Sequence, residues 1–194
     1  MLTVTKRSAA RAEIEGAIRC IASDSNFLAA EALASAAIDV VSGVSKAAEV
    51  QTLSDQFYEH VRPEKLKDVR KVMRKPYNFL KHSDRDRDTA IDRYNPDAAI
   101  WRTFIAAVDY DVLWQQMSFR MMLYMTWFYS RYPTILKETS RYDHTAFEAT
   151  YGSMSELSRP AAVGVLKRIL TELEGSEHLI LASQPLAASG RIEV

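Results

Sequence analysis

Apolar residues recur three and four positions apart through most of this chain and almost nowhere alternate, a pattern that the amphipathic α-helix satisfies and the β-strand does not. Six glycines and six prolines in 194 residues leave few natural breaks. Alanine, leucine and methionine, all strong helix formers, fill the periodic stretches. A first helix is predicted from about Ser8 to Ala22, ending in Ser23-Asp24-Ser25-Asn26, which reads as a turn and a cap for the second helix, Phe27 to Lys46. Ala30, Ala34, Ala37, Val41 and Val44 share one stripe of that second helix and let a neighbour approach closely. A third segment spans Ala48 to Val61, and a fourth helix starts at Pro63, a residue suited to a first turn. Leu66, Val69, Met73, Tyr77 and Leu80 line its apolar face. Pro76 removes a backbone donor within it and crowds the carbonyl of Val72, so a kink or break is expected there.

Beyond the fourth helix, His82 to Pro96 is polar and patternless, a surface connection, and Asn95-Pro96-Asp97 opens a new helix. From Ala98 to Tyr132 the chain is apolar on nearly every face, which predicts one or two centrally buried helices, with Pro133 ending this element or starting the next. The run from Met117 to Tyr132 reads as packed core or oligomer seam, with a ligand pocket as the alternative. Tyr142 to Leu157 and Pro160 to Leu173 supply two further segments. The expected fold is all-α: a bundle of about six or seven helices with a long charged loop after the fourth, forming a single helical domain over 1–194. The tail at 182–194 either packs on a partner subunit or lies on the surface.

Composition narrows the function classes. Lys plus Arg balance Asp plus Glu at 25 each, so there is no global bias toward nucleic acid or anionic membrane. Cys20 is the only cysteine, which excludes an intrachain disulfide and a cysteine zinc site and fits a small buried apolar role in a reducing compartment. The first ten residues show no secretory signal pattern. The best membrane candidate, Met121 to Tyr129, is nine residues long, far below the roughly 20 that a span needs. The expectation is a cytoplasmic chain with no membrane partner. No glycine-rich phosphate loop, nucleophile elbow, dinucleotide fingerprint or helical Glu-x-x-His pair is present, and His60, His144 and His178 lack metal-site spacing. No cofactor and no metal site are expected.

One stretch departs from this even background. Between Arg62 and His82, eight basic residues stand against Glu64 and Asp68, a local excess of six positive charges. On a continuous helix Arg70, Arg74, Asn78 and His82 step by four, aligning guanidinium, amide and imidazole along one ridge. Such a ridge suits a phosphodiester, because arginine forks onto its oxygens and histidine moves protons near neutral pH. The competing reading is a solvated basic face whose arginines and His82 bond to the next block, where Asp84, Asp86 and Asp88 alternate with Arg85 and Arg87. Read as a calcium loop from Asp84, that block has Thr89 at the sixth position and Asn95 at the twelfth, without the turn glycine and bidentate glutamate. Asp109 and Asp111 sit on the apolar fifth helix and need partners, for which Arg102, Arg120 or the basic ridge are the candidates.

The string Tyr77-Asn78-Phe79-Leu80-Lys81-His82-Ser83-Asp84-Arg85-Asp86 resembles the Asn-Phe-Phe-Lys-His-Ala-Asp-Arg-Asp motif of a group of bacterial helical proteins. Trp127-Phe128-Tyr129 ahead of Pro133 is similar to the same group, and the resemblance covers about Ala30 to Pro133. It implies a bacterial helical family and no activity. A second similarity is to the HEPN superfamily, small helical bundles that often dimerise and include RNases whose active helix carries Arg, a polar residue and then His. Asn78 and His82 match the last two; Tyr77 stands where the arginine is expected, and Arg74 lies four residues before Asn78.

The functional expectation is a bacterial, cytoplasmic interaction or regulatory module without catalysis, acting as a homodimer with a protein partner. The alternative is an RNase or RNA binder in which Arg74, Asn78 and His82 act as catalytic residues and Arg70, Lys71, Lys75, Lys81, Asp84 and Asp86 line the binding surface. A metal-dependent enzyme is the third reading.

Overall fold

A computed structural model describes residues 3–23, 26–81, 90–135 and 145–174. Its helices are α1 (Lys6–Ala22), α2 (Phe27–Ala47), α3 (Leu53–Glu59), α4 (Pro63–Lys81), α5 (Asp97–Trp114), α6 (Phe119–Arg131), α7 (Thr145–Tyr151) and α8 (Arg159–Glu174), with a 3-10 turn at Pro133–Ile135. No strand occurs among the described residues, and the fold is all-α. The loop residues His82, Asp84 and Asp86, together with the tail at 182–194, lie outside the described residues.

Local caps set most helix starts. Thr5 and Ser8 form a reciprocal capping box at α1, and the Asn26 side chain accepts from the Ala29 N–H at α2. The third helix is shorter than its pattern predicts, for two backbone reasons. Glu49 adopts a left-handed φ of 55° just past α2, and a second capping box, Thr52 with Asp55, delays the start of α3 to Leu53. The apolar stretch after Asn95 resolves into two helices, because Gln115 turns left-handed at φ 50° and Ser118 caps α6. Helix α4 runs from Pro63 to Lys81 through Pro76, so the chain does not break there. Just ahead of that proline the Arg102 guanidinium of α5 donates through Nη2 to the Met73 carbonyl.

The centre of the molecule is the packing of α1, α2 and α5 on one another, with α6 and α8 closing one side and α3 and α4 the other. The small-residue stripe of α2 performs as read: Ala30, Ala34, Ala37 and Val41 are fully buried, while Val44 is only half-buried. A side chain at Gly16 of α1 would meet Leu33 Cδ1 at 3.2 Å, so the two helices are in close approach. The Met and aromatic run of α6 is packed core. Phe128 stacks on Phe104 with ring centroids 4.0 Å apart, and Trp127 Nε1 donates to the Ala162 carbonyl at 2.8 Å. Cys20 is half-buried against this core. Among the described residues α2, not the α6 segment, is the helix long and apolar enough to cross a membrane. Here it buries Glu31 and pairs Asp39 within the bundle.

Candidate functional site

The basic stretch folds as α4, and none of its side chains is buried. Its apolar face, half-buried at Leu66, Val69, Met73 and Tyr77, leans chiefly on α2. The ridge does not present its arginines as a set. Arg74 is ion-paired with Asp39 of α2, and the Arg70 guanidinium lies 5.0 Å over the Tyr58 ring of α3. The Lys81 ammonium lies 5.5 Å over Tyr77. Asn78 is half-buried one turn beyond Arg74 on the same face. Arg74 and Asn78 are therefore neighbours, but the guanidinium that the catalytic reading needs is committed to α2. Lys65, Lys67, Lys71 and Lys75 are exposed and make no ion pair among the described residues. The last three step by four along the helix, which places three ammonium groups in a row.

Behind α4 lies a cavity of about 530 Å³. Helix α3 contributes Leu53, Phe57 and Tyr58 to it, α5 contributes Trp101, Phe104 and Ile105, and Met73 of α4 forms part of the wall. Arg102 also lines it and is only 8% exposed. Among the described residues its single hydrogen bond is the one to the Met73 carbonyl. Burial pushes this guanidinium below its ordinary value, while the Glu31 carboxylate opposes the shift from beyond ion-pair distance. Glu31 is buried and accepts from the Tyr94 hydroxyl at 2.9 Å. Burial pushes Glu31 above the usual carboxylate range, against the pull of Tyr94 and Arg102.

The second buried carboxylate takes a partner that the sequence reading did not consider. Asp109 of α5 accepts from the Ser54 backbone N–H at 3.2 Å and from the Ser54 hydroxyl, at the first turn of α3. The first N–H groups of a helix lack intrahelical acceptors, so a carboxylate there satisfies them without a counter-cation. Burial nevertheless pushes Asp109 up to about 6, against the Ser54 bonds that favour its charged form. The two arginines proposed as its partners are engaged elsewhere: Arg102 on Met73, and Arg120 on Glu15 at 2.9 Å. Asp111 is half-buried, and burial raises its carboxyl against a backbone bond from Met117.

Chemically, the cavity offers apolar and aromatic walls, one fork of N–H donors and a serine at its edge. Among the described residues no group of three His, Cys, Asp or Glu side chains is placed to hold a metal ion. Arg102 is the residue whose importance the sequence reading missed. Its signal is a guanidinium on a helix apolar on nearly every face, which in sequence reads only as a counter-ion for Asp109 or Asp111. No protein-family model, no curated protein and no solved structure matches this chain, so both resemblances rest on the motif residues themselves.

Proposed function

We propose that the chain is a non-catalytic interaction or regulatory module, a bacterial cytoplasmic homodimer whose contact surface is the lysine face of α4. One observation carries this reading: a 19-residue helix with no buried residue presents Lys67, Lys71 and Lys75 exposed and without an ion-pair partner among the described residues, while Arg74 pairs with Asp39. Helices of globular domains gain their stability by burying an apolar face, so a long one left this open is built for a further surface. Val72 is 70% exposed on it and Leu80 43%. Cations beside exposed aliphatics suit an acidic, amphipathic protein segment.

The test is binding of a synthetic glutamate–leucine helical peptide, followed by fluorescence anisotropy, to the parent and to the triple variant Lys67→Glu, Lys71→Glu, Lys75→Glu. Reversal of three surface charges is expected to weaken binding by about tenfold. The RNase or RNA-binding reading is the second outcome of the same experiment, run with single-stranded RNA. It replaces the first if RNA is cleaved, or bound with steep salt dependence, and Arg74→Ala or His82→Ala abolishes the effect. Sedimentation of the purified chain checks the dimer.

A further inference from the structure

From the cavity behind α4 we infer a second, independent site: a pocket for a small amphipathic carboxylate, an apolar chain or ring whose single carboxylate docks on Arg102. Three observations converge on it. The volume, about 530 Å³, is that of a small-molecule pocket, for which roughly 300–1,000 Å³ is usual. The walls are the aliphatic and aromatic side chains of α3 and α5, and the two cavity residues most open to solvent are also apolar, Phe57 at 47% and Ile135 at 40% exposure. Among the described residues Arg102 is the only cation in the lining, 8% exposed, with one hydrogen bond for a group that carries five N–H donors. A charge taken this far out of water is held at a cost unless paired and hydrogen-bonded. Two carboxylates act on it from beyond ion-pair distance: Glu31, tied to Tyr94, and Asp39, paired with Arg74.

The charge count selects the head group. One guanidinium accepts one carboxylate through a planar two-bond fork. A phosphate monoester would bring a second negative charge into a site that Glu31 already influences, and an alcohol would leave the guanidinium without a counter-ion. The tail then lies among Trp101, Phe104 and Phe57, where its burial drives binding. Met73 joins this pocket to α4, since its side chain is wall and its carbonyl is the present acceptor of Arg102. A bound carboxylate therefore competes with, or adds to, the one bond that ties α5 to α4.

The full chain is titrated calorimetrically with decanoate, decanol and decylamine, each below its micellar concentration. Decanoate is expected to bind, and decanol and decylamine to bind weakly or not at all. In Arg102→Met, which keeps an unbranched apolar stem and removes the guanidinium, decanoate affinity falls by about ten- to a hundredfold, the worth of a charged hydrogen-bonded pair, and decanol affinity does not. If that variant fails to fold by circular dichroism, Arg102→Lys is used; it keeps the charge, loses the fork, and is expected to weaken decanoate alone. Ile105→Trp fills the pocket with Arg102 in place and is expected to abolish binding of every tail. The inference is overturned if decanoate does not bind the parent, if it binds no better than decanol, or if Arg102→Met retains it. It is equally overturned if the triple lysine variant of α4 loses decanoate, because the anion would then be held on the outer face. The loss of peptide binding by that same triple variant is read separately, so the two sites stand or fall apart.

Discussion

Helices α4 and α5 are nearly equal in length, 19 and 18 residues, and are joined by the Arg102 bond to Met73, yet they are held in opposite ways. Helix α5 buries Ile100, Phe104, Ala106, Ala107 and Tyr110 along with Arg102, Thr103 and Asp109; α4 buries nothing. The sequence pattern already marks α5, apolar on nearly every face, as a central helix, whereas α4, with its clean separation of apolar and charged faces, reads as a helix with one side to bury. Amphipathicity identifies the face a helix can bury, not whether the molecule covers it. With each large buried side chain worth about 1.5–3 kcal/mol, α5 is locked to the global unfolding of the bundle. Helix α4 depends on half-buried contacts and a surface ion pair, so it belongs to the part that opens locally first. The cavity lies mainly between α5 and the short helix α3, and α4 reaches it through Met73.

The largest test of that contrast is a matched pair of truncations. Phe104→Ala, in the stack with Phe128, is expected to lower the unfolding free energy by about 3–5 kcal/mol in urea melts. Val72→Ser on α4 is expected to change it by no more than about 0.5 kcal/mol. Similar losses from both would mean that α4 is as much core as α5.

A smaller effect comes from Asp109, which ties α3 to α5. Its carboxyl is raised from 3.8 to about 6 by burial, so the fold favours the protonated form. The resulting stabilisation is complete below about pH 4 and is lost as pH rises through about 6, on the order of 2–3 kcal/mol. Denaturation of the parent relative to Asp109→Asn, which does not titrate, should show that difference shrinking between those values. A pH-independent difference would mean that solvent reaches the carboxylate and that the α3–α5 seam is wet.

The smallest effect sharpens the comparison on the α4 side. Arg74 and Asp39 are both substantially exposed, so a double-mutant cycle between Arg74→Ala and Asp39→Ala should return a coupling of about 0–1 kcal/mol. A coupling of several kcal/mol would show that α4 is anchored by this pair after all.

The parts of this molecule that were legible in sequence are those decided within a few residues. Pro63 at a first turn, the Asn26 cap, and the stripe Ala30, Ala34, Ala37, Val41 are local signals, and each appears in the fold where it was read. The boundary of α3 was missed because a left-handed Glu49 and a Thr52 cap interrupt a stretch whose composition still looks helical. The partners of the buried charges were missed for a different reason. Asp109 meets a serine 55 positions away, and Arg102 meets a backbone carbonyl 29 positions away, an acceptor that every residue carries and no residue type announces.

Arg62 to Lys81 shows where the division falls. Its helical state, its excess of charge and its apolar face were determined by the sequence itself, since helix periodicity and side-chain chemistry act over one or two turns. Only the tertiary structure decided that Arg74 pairs with Asp39 of α2, that the lysines find no ion-pair partner among the described residues, and that the Met73 carbonyl meets a buried arginine from α5. Those outcomes depend on which helices become neighbours, and that is set by the packing of the whole core.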